Sequence, residues 1–150
     1  MKKIPVPIYC HRFAFSAEAQ DDNQHVNNIE YVRMLQESAI AHTRQNGWAP
    51  EELYARGWTW VVRSHFIEYL KPCRAGEEIA LYTWAASFKK IRSLRRYRFV
   101  RVADRAVLAE AETDWVFVDA QRGTLRSIPK EVFDTFELMS PEEEKDIPLL

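Results

Sequence analysis

At 150 residues the chain is long enough to bury one ordinary core without disulfide or metal staples. With 47% hydrophobic and 29% charged residues, it is neither disordered nor fibrous. Lys+Arg 21 against Asp+Glu 22 gives a formal charge of -1, which excludes a polycation and confines any site for acidic partners to a local patch. The two cysteines, Cys10 and Cys73, are too few for a disulfide framework or a four-cysteine zinc site, and reduced thiols in the cytoplasm are expected. Lys2 and Lys3 precede Pro5, Pro7 and His11, which interrupt the apolar run a secretory leader needs. No stretch approaches the roughly 18 apolar residues of a membrane span. Aromatic residues, at 13%, favour a sheet-rich domain.

A first strand is expected over residues 7–15. A helix follows over 28–45, with Ile29, Val32, Leu35, Ala39 and Ile40 at the spacing of a one-sided stripe. Asn27 is its N-cap, Glu30 sits at its third position, and Asn46-Gly47 ends it. A short helix over 49–56 opens with Pro50 and two glutamates. Long strands are expected over 58–70, 77–88, 94–102 and 107–118, separated by turns at Gly76 and Gly123. An edge strand at 125–128, a helix at 129–136 and a frayed acidic tail at 140–146 complete the chain. Long strands joined by short turns predict an antiparallel meander in a single domain over residues 1–150.

The chemically dense stretch lies directly before the long helix: Asp21, Asp22, Asn23, Gln24, His25, Val26, Asn27, Asn28. A helix N-terminus offers unpaired N–H groups and the positive end of the macrodipole, a place that holds a phosphate or a developing oxyanion. A carboxylate beside it can attack a carbonyl or deprotonate a water, and a histidine can orient or relay the proton. The same residue types also cap helices and make turns, and spacing alone does not separate the two readings.

The order Asp21, Gln24, His25, Val26, Asn27, Asn28, Tyr31 resembles the active-site loop of hotdog-fold thioesterases of the 4-hydroxybenzoyl-CoA thioesterase family, Asp-x-x-Gly-His-Val-Asn-Asn-x-x-Tyr. Residues 65–72, 80–87 and 109–119 resemble strands of that family, so the likeness spans nearly the whole chain. The acyl-ACP thioesterase branch is more similar still, through Asp21, Asn23, Gln24, His25, Val26, Asn27 and Asn28, and through Thr83, Trp84, Lys89 and Arg92. Ala19 stands where many members keep another Asp, Gln24 replaces their glycine, and a glutamate used in part of the acyl-ACP branch falls near Pro72.

The resemblance implies an α+β hotdog fold, an antiparallel sheet of five or six strands wrapped around one long helix. It implies a homodimer or homotetramer whose sheets pair edge to edge, with each site at a subunit interface. The implied activity is hydrolysis of an acyl-CoA or acyl-ACP thioester, without cofactor or metal. Asp21 acts as base or nucleophile, Asn23 and His25 position the water or the carboxylate, and the N–H groups of Val26, Asn27 and Asn28 hold the oxyanion. A hotdog enoyl hydratase or dehydratase is the first alternative. Its Asp-x-Asn-Pro-x-His pattern has one more residue than the Asp21 to His25 spacing here, and a proline this chain lacks. The second is a catalytically silent module binding acyl-CoA or a carrier protein, for which Ala19 and the missing glutamate leave room.

Between residues 89 and 105, eight cations face Asp104 alone, a local balance of +7: Lys89, Lys90, Arg92, Arg95, Arg96, Arg98, Arg101 and Arg105. This run is either a solvated edge with arginine stems over aromatic surface, or a docking site for CoA phosphates or an acidic carrier, centred on Lys89, Lys90, Arg92, Arg95 and Arg96. Tyr97 and Phe99 lie within it, but the glycine-aromatic signature of RNA-binding modules is missing, so no nucleic-acid partner is expected. His11, His42 and His65 share no metal-ligand spacing, and Ser38 and Ser127 lack the glycines of a nucleophile elbow. Glu37 either faces the site from a partner subunit or is a solvated helix residue.

Overall fold

The structure is a computed structural model that describes residues 7–145 and residue 147. Its elements in chain order are β1 (Ile8–Ala14), α1 (Asn28–Gln45), α2 (Pro50–Ala55), β2 (Trp58–Tyr69), β3 (Glu78–Lys89), β4 (Arg92–Arg101), β5 (Val107–Asp119), α3 (Lys130–Phe133) and α4 (Pro141–Lys145), with a 3-10 turn at Ala17–Ala19. The five strands form one antiparallel sheet in the order β1-β3-β4-β5-β2. The class is α+β, and the long helix against a five-stranded antiparallel sheet is the hotdog arrangement.

The sheet is not the plain meander expected. The β3-β4-β5 part is one, but β2 lies beyond β5, on the opposite edge from β1. The reason is that α1 and α2 separate β1 from β2 in the chain. The helical segment carries the chain from one edge of the sheet to the other before the meander fills the middle.

Helix α1 starts where its cap predicts. Asn27 is extended, and its Oδ1 accepts the N–H of Ile29 at 3.0 Å. The helix stops at Asn46, followed by Gly47 at φ 96°. Its buried face differs from the apolar stripe read from sequence. Tyr31, Met34, Leu35, Ser38, Ala39 and His42 point inward, while Ile29 and Ile40 are exposed. The inner face of the sheet packs Ile79, Leu81, Tyr97 and Phe99 against Tyr31, Met34 and Leu35.

The opposite face of the sheet is covered by the C-terminal segment. Ala80, Tyr82, Trp84 and Val100 pack with Met139 and Ile147. Of the acidic tail expected at 140–146, residue 146 lies outside the described residues, and 140–145 are ordered against the sheet rather than frayed. They contain α4, whose Glu144 accepts the Trp84 indole N–H at 3.0 Å and an Arg96 N–H at 2.6 Å. The edge strand expected at 125–128 is reduced to a single bridge between Leu125 and Val118. The helix expected at 129–136 covers only Lys130–Phe133, with Pro129 as its N-cap. Among the described residues no helix is long and apolar enough to cross a membrane.

Candidate active site

The loop before α1 is built by main-chain bonds. The Asp21 N–H donates to the His25 carbonyl at 2.7 Å, and the Gln24 N–H donates to the Asp21 carbonyl at 3.0 Å. Gln24 takes φ 63°, the left-handed conformation that glycine adopts without a Cβ penalty. This explains in physical terms why the resembling loops keep a glycine there.

The Asp21 carboxylate is fixed through one oxygen. Its Oδ1 accepts the N–H groups of Asn23 at 2.9 Å and His25 at 3.2 Å. Asn23 and His25 thus orient the carboxylate through their backbones rather than their side chains. Asp21, Asn23, Asn27 and Asn28 are exposed in the isolated chain, and His25 is half-buried.

Of the three expected oxyanion donors, two are already occupied. The Val26 N–H donates to the Cys73 carbonyl at 2.8 Å, and the Asn27 N–H donates to the Ala19 carbonyl at 2.7 Å. The Ile29 N–H serves the Asn27 cap. The N–H of Asn28, the first residue of α1, has no partner among the described residues.

Residues with no motif of their own seat this loop. The Tyr69 hydroxyl donates to the Asn28 carbonyl at 3.1 Å, and its ring meets Tyr31 edge-on at 5.3 Å. The Ala75 N–H donates to Gln20 Oε1 at 3.1 Å, tying the β2–β3 turn to the loop. Tyr31 lies against Cys73 at the base of the site. Burial first, then the neighbouring Glu77 carboxylate, push the Cys73 thiol up to about 11, and burial raises the Tyr31 hydroxyl well above its usual range. Both groups are neutral at physiological pH, so they are structural rather than nucleophilic.

The model of one family, the thioesterase-like superfamily, matches residues 16–136 and so spans the loop, α1 and the whole β2–β5 sheet. The chain belongs to the thioesterase-like superfamily. No curated protein sequence matches it significantly. This thioesterase-like chain is similar in structure to a hypothetical protein of Aquifex aeolicus, at TM-score 0.79 and 20% identity over 86% of this chain and 99% of that one. It is also similar to a 1,4-dihydroxy-2-naphthoyl-CoA thioesterase from Synechocystis, at TM-score 0.77 and 13% identity over 85% and 93%. A Staphylococcus aureus protein solved in complex with CoA gives TM-score 0.80 and 13% identity over 89% and 83%. At such identities these three likenesses carry the fold alone.

The basic run of this thioesterase-like chain is divided by the pleat of β4. Arg96 and Arg98 stand on one face, opposite Glu112 and Glu110 of β5, with N–O separations of 3.5 and 3.4 Å. Arg92 is paired with Asp114, and Arg101 with Glu77 and Asp104, each at 2.9 Å. Within the run, Arg92, Arg96 and Arg98 thus form a cross-strand ladder of opposite charges with β5. Lys89 and Lys90, at the exposed β3–β4 turn, have no ion pair among the described residues. Arg95 leaves the run altogether, because it points inward and is 5% exposed.

Glu37 is exposed on α1, about 14 Å along the helix axis from Asn28. His65 lies on β2, its Nδ1 within 2.8 Å of Thr113 Oγ1, and its partial burial lowers its pKa. No group of three His, Cys, Asp or Glu residues among those described is arranged to hold a metal ion.

Proposed function

We propose that this chain is an acyl thioesterase hydrolysing acyl-CoA or acyl-ACP, of the branch nearest the acyl-ACP thioesterases. The observation that carries the reading is Asp21. Its Oδ1 is held by two backbone N–H groups directly before an 18-residue helix whose first N–H, that of Asn28, has no partner among the described residues.

The chemistry follows from that placement. With Oδ1 occupied, Oδ2 faces the reacting group, either taking a proton from water or attacking the thioester carbon itself. In the first course hydroxide adds to the carbonyl carbon and the electron pair moves to the carbonyl oxygen. The Asn28 N–H and the positive end of α1 stabilise that oxyanion. Collapse restores the carbonyl, expels the thiolate and returns the Asp21 proton to sulfur, giving a carboxylic acid and a thiol.

Assembly completes the site in this reading. Strand β2 bonds only to β5 within the described residues, so its outer edge is open, and Val61 and Phe66 are 44% and 64% exposed along it. A second copy pairing on that edge, as a homodimer or within a homotetramer, encloses the exposed loop. Lys89 and Lys90 serve the phosphates of CoA or the acidic surface of a carrier, because their neighbours Arg92 and Arg96 are engaged with acids.

The test is thiol release from acyl-CoAs and acyl-ACPs of graded chain length, with Asp21→Asn beside the native chain. Release that falls about 100-fold or more in the variant supports the reading. No release from any substrate favours the silent binding module.

A further inference from the structure

Between α1 and the inner face of the sheet lies a cavity of about 230 Å³. Its wall on α1 runs from Gln36 to Thr43, about 12 to 22 Å along the helix axis from Asn28, so it is remote from the Asp21 loop within one chain. Trp60, Phe88, Trp115 and Phe136 form its apolar walls, and Arg95 of β4 enters it.

Arg95 is the anomaly. It is 95% buried by its 5% exposure, yet it has no carboxylate partner among the described residues. Its hydrogen bonds are to the neutral acceptors His42 Nδ1 at 2.9 Å and Thr83 Oγ1 at 3.1 Å, and both leave from Nη1. The acids of β5 stand on the other face of the sheet, paired with Arg92, Arg96 and Arg98. A guanidinium stays charged at any physiological pH, and burying that charge without a compensating one is strongly unfavourable. The Phe136 ring, 5.8 Å from Arg95 Cζ, offsets only a small part of that cost. His42 and Thr83 satisfy donors but supply no negative charge.

The bonds through Nη1 leave the Nε/Nη2 edge, the two-pronged side of a guanidinium that matches a carboxylate. The buried Trp115 Nε1–H lines the same space and lies beside the buried Tyr97 hydroxyl. The rest of the lining is mostly apolar, with Thr43, Thr59 and Ser93 among the aliphatic and aromatic side chains, which suits an apolar body with a polar end. An apolar cavity of about 150 Å³ already accepts benzene, so this one has room for a ring or short chain together with its charged end.

We propose that this cavity binds a small hydrophobic carboxylate, with the carboxylate bidentate on Arg95 and the hydrocarbon body among Trp60, Phe88, Trp115 and Phe136. The proposal stands apart from the thioesterase reading, because it concerns binding and not hydrolysis. Trp48, Trp60 and Trp115 border the cavity, so occupancy is read directly from intrinsic tryptophan fluorescence.

The test titrates the full-length native chain with octanoate and with 3-phenylpropionate, the aliphatic and aromatic forms of the same chemistry, and with 1-octanol as the uncharged control. The expected result is a saturable change with at least one acid, about tenfold or more tighter than with octanol. Arg95→Met, checked for folding by circular dichroism, removes that preference for the acid over the alcohol. If Arg95→Met does not fold, the acid-to-alcohol ratio in the native chain decides alone. Octanol binding as tightly as octanoate, neither acid producing a saturable change, or a folded Arg95→Met chain that keeps the preference overturns the proposal.

Discussion

Asp21 and His25 are joined twice through the main chain. The Asp21 N–H donates to the His25 carbonyl at 2.7 Å, while the His25 N–H donates to Asp21 Oδ1 at 3.2 Å. The second bond belongs to the backbone of His25, not to its ring. His25→Ala and Asn23→Ala therefore keep the carboxylate in place, and hydrolysis falls by no more than about tenfold. Asp21→Asn removes the reacting oxygen and lowers kcat by about 100-fold or more. Steady-state kinetics of the three variants checks the order.

Gln24 holds φ 63° with a full side chain. Gln24→Gly removes the steric cost of that conformation but adds chain entropy to the unfolded state, leaving a net stabilisation of about 0.5–1 kcal/mol. Gln24→Val, β-branched at the same angle, destabilises. Urea unfolding of both variants measures the two signs.

Glu144 accepts from Trp84 and Arg96 at once while sitting on the outer face of the sheet. Glu144→Ala leaves a partly buried indole N–H without that acceptor and removes one of the two acids beside Arg96. It costs about 1–3 kcal/mol in the same unfolding assay. A loss below about 0.5 kcal/mol contradicts the role assigned to α4.

The Cys73 thiol is raised to about 11 by burial and by Glu77, whereas an unperturbed thiol titrates near 9.0. The folded chain holds this proton more tightly than the unfolded one. The corresponding stability is complete below pH about 9 and is lost as the pH rises from there to about 11. Cys73→Ala flattens that part of the profile, whatever its offset. At neutral pH a disulfide reagent titrates the exposed Cys10 first and reaches Cys73 on unfolding.

Lys89 and Lys90 are exposed cations of the basic run with no ion pair among the described residues, so Lys89→Ala/Lys90→Ala raises KM for acyl-CoA several-fold with little change in kcat, and salt mimics the effect. Arg96→Ala acts on unfolding instead, through Glu112 and Glu144.

What was legible in the sequence was local. Asn27 and Asn46-Gly47 bound α1 because capping chemistry lies within a few residues of each end. The burial face of α1 was misread because Ser38 and His42 are inside, and an apolar periodicity passes over polar residues that the core satisfies. The +7 count treated Arg95 and Arg96 alike, although the pleat sends adjacent strand residues to opposite faces. Glu144 was invisible because Trp84 and Arg96 lie 60 and 48 residues away. The sequence places the loop residues side by side, but which of their N–H groups are free depends on the Ala19 and Cys73 carbonyls, and carbonyls leave no mark in a sequence.

The most direct test of the central claim is the rate of thiol release from a chain-length series of acyl-CoAs and acyl-ACPs by the native chain and by Asp21→Asn at equal concentration. The account predicts turnover on at least one substrate and its loss, by about 100-fold or more, in the variant. Equal rates for the two proteins, or no turnover of any thioester, would contradict it.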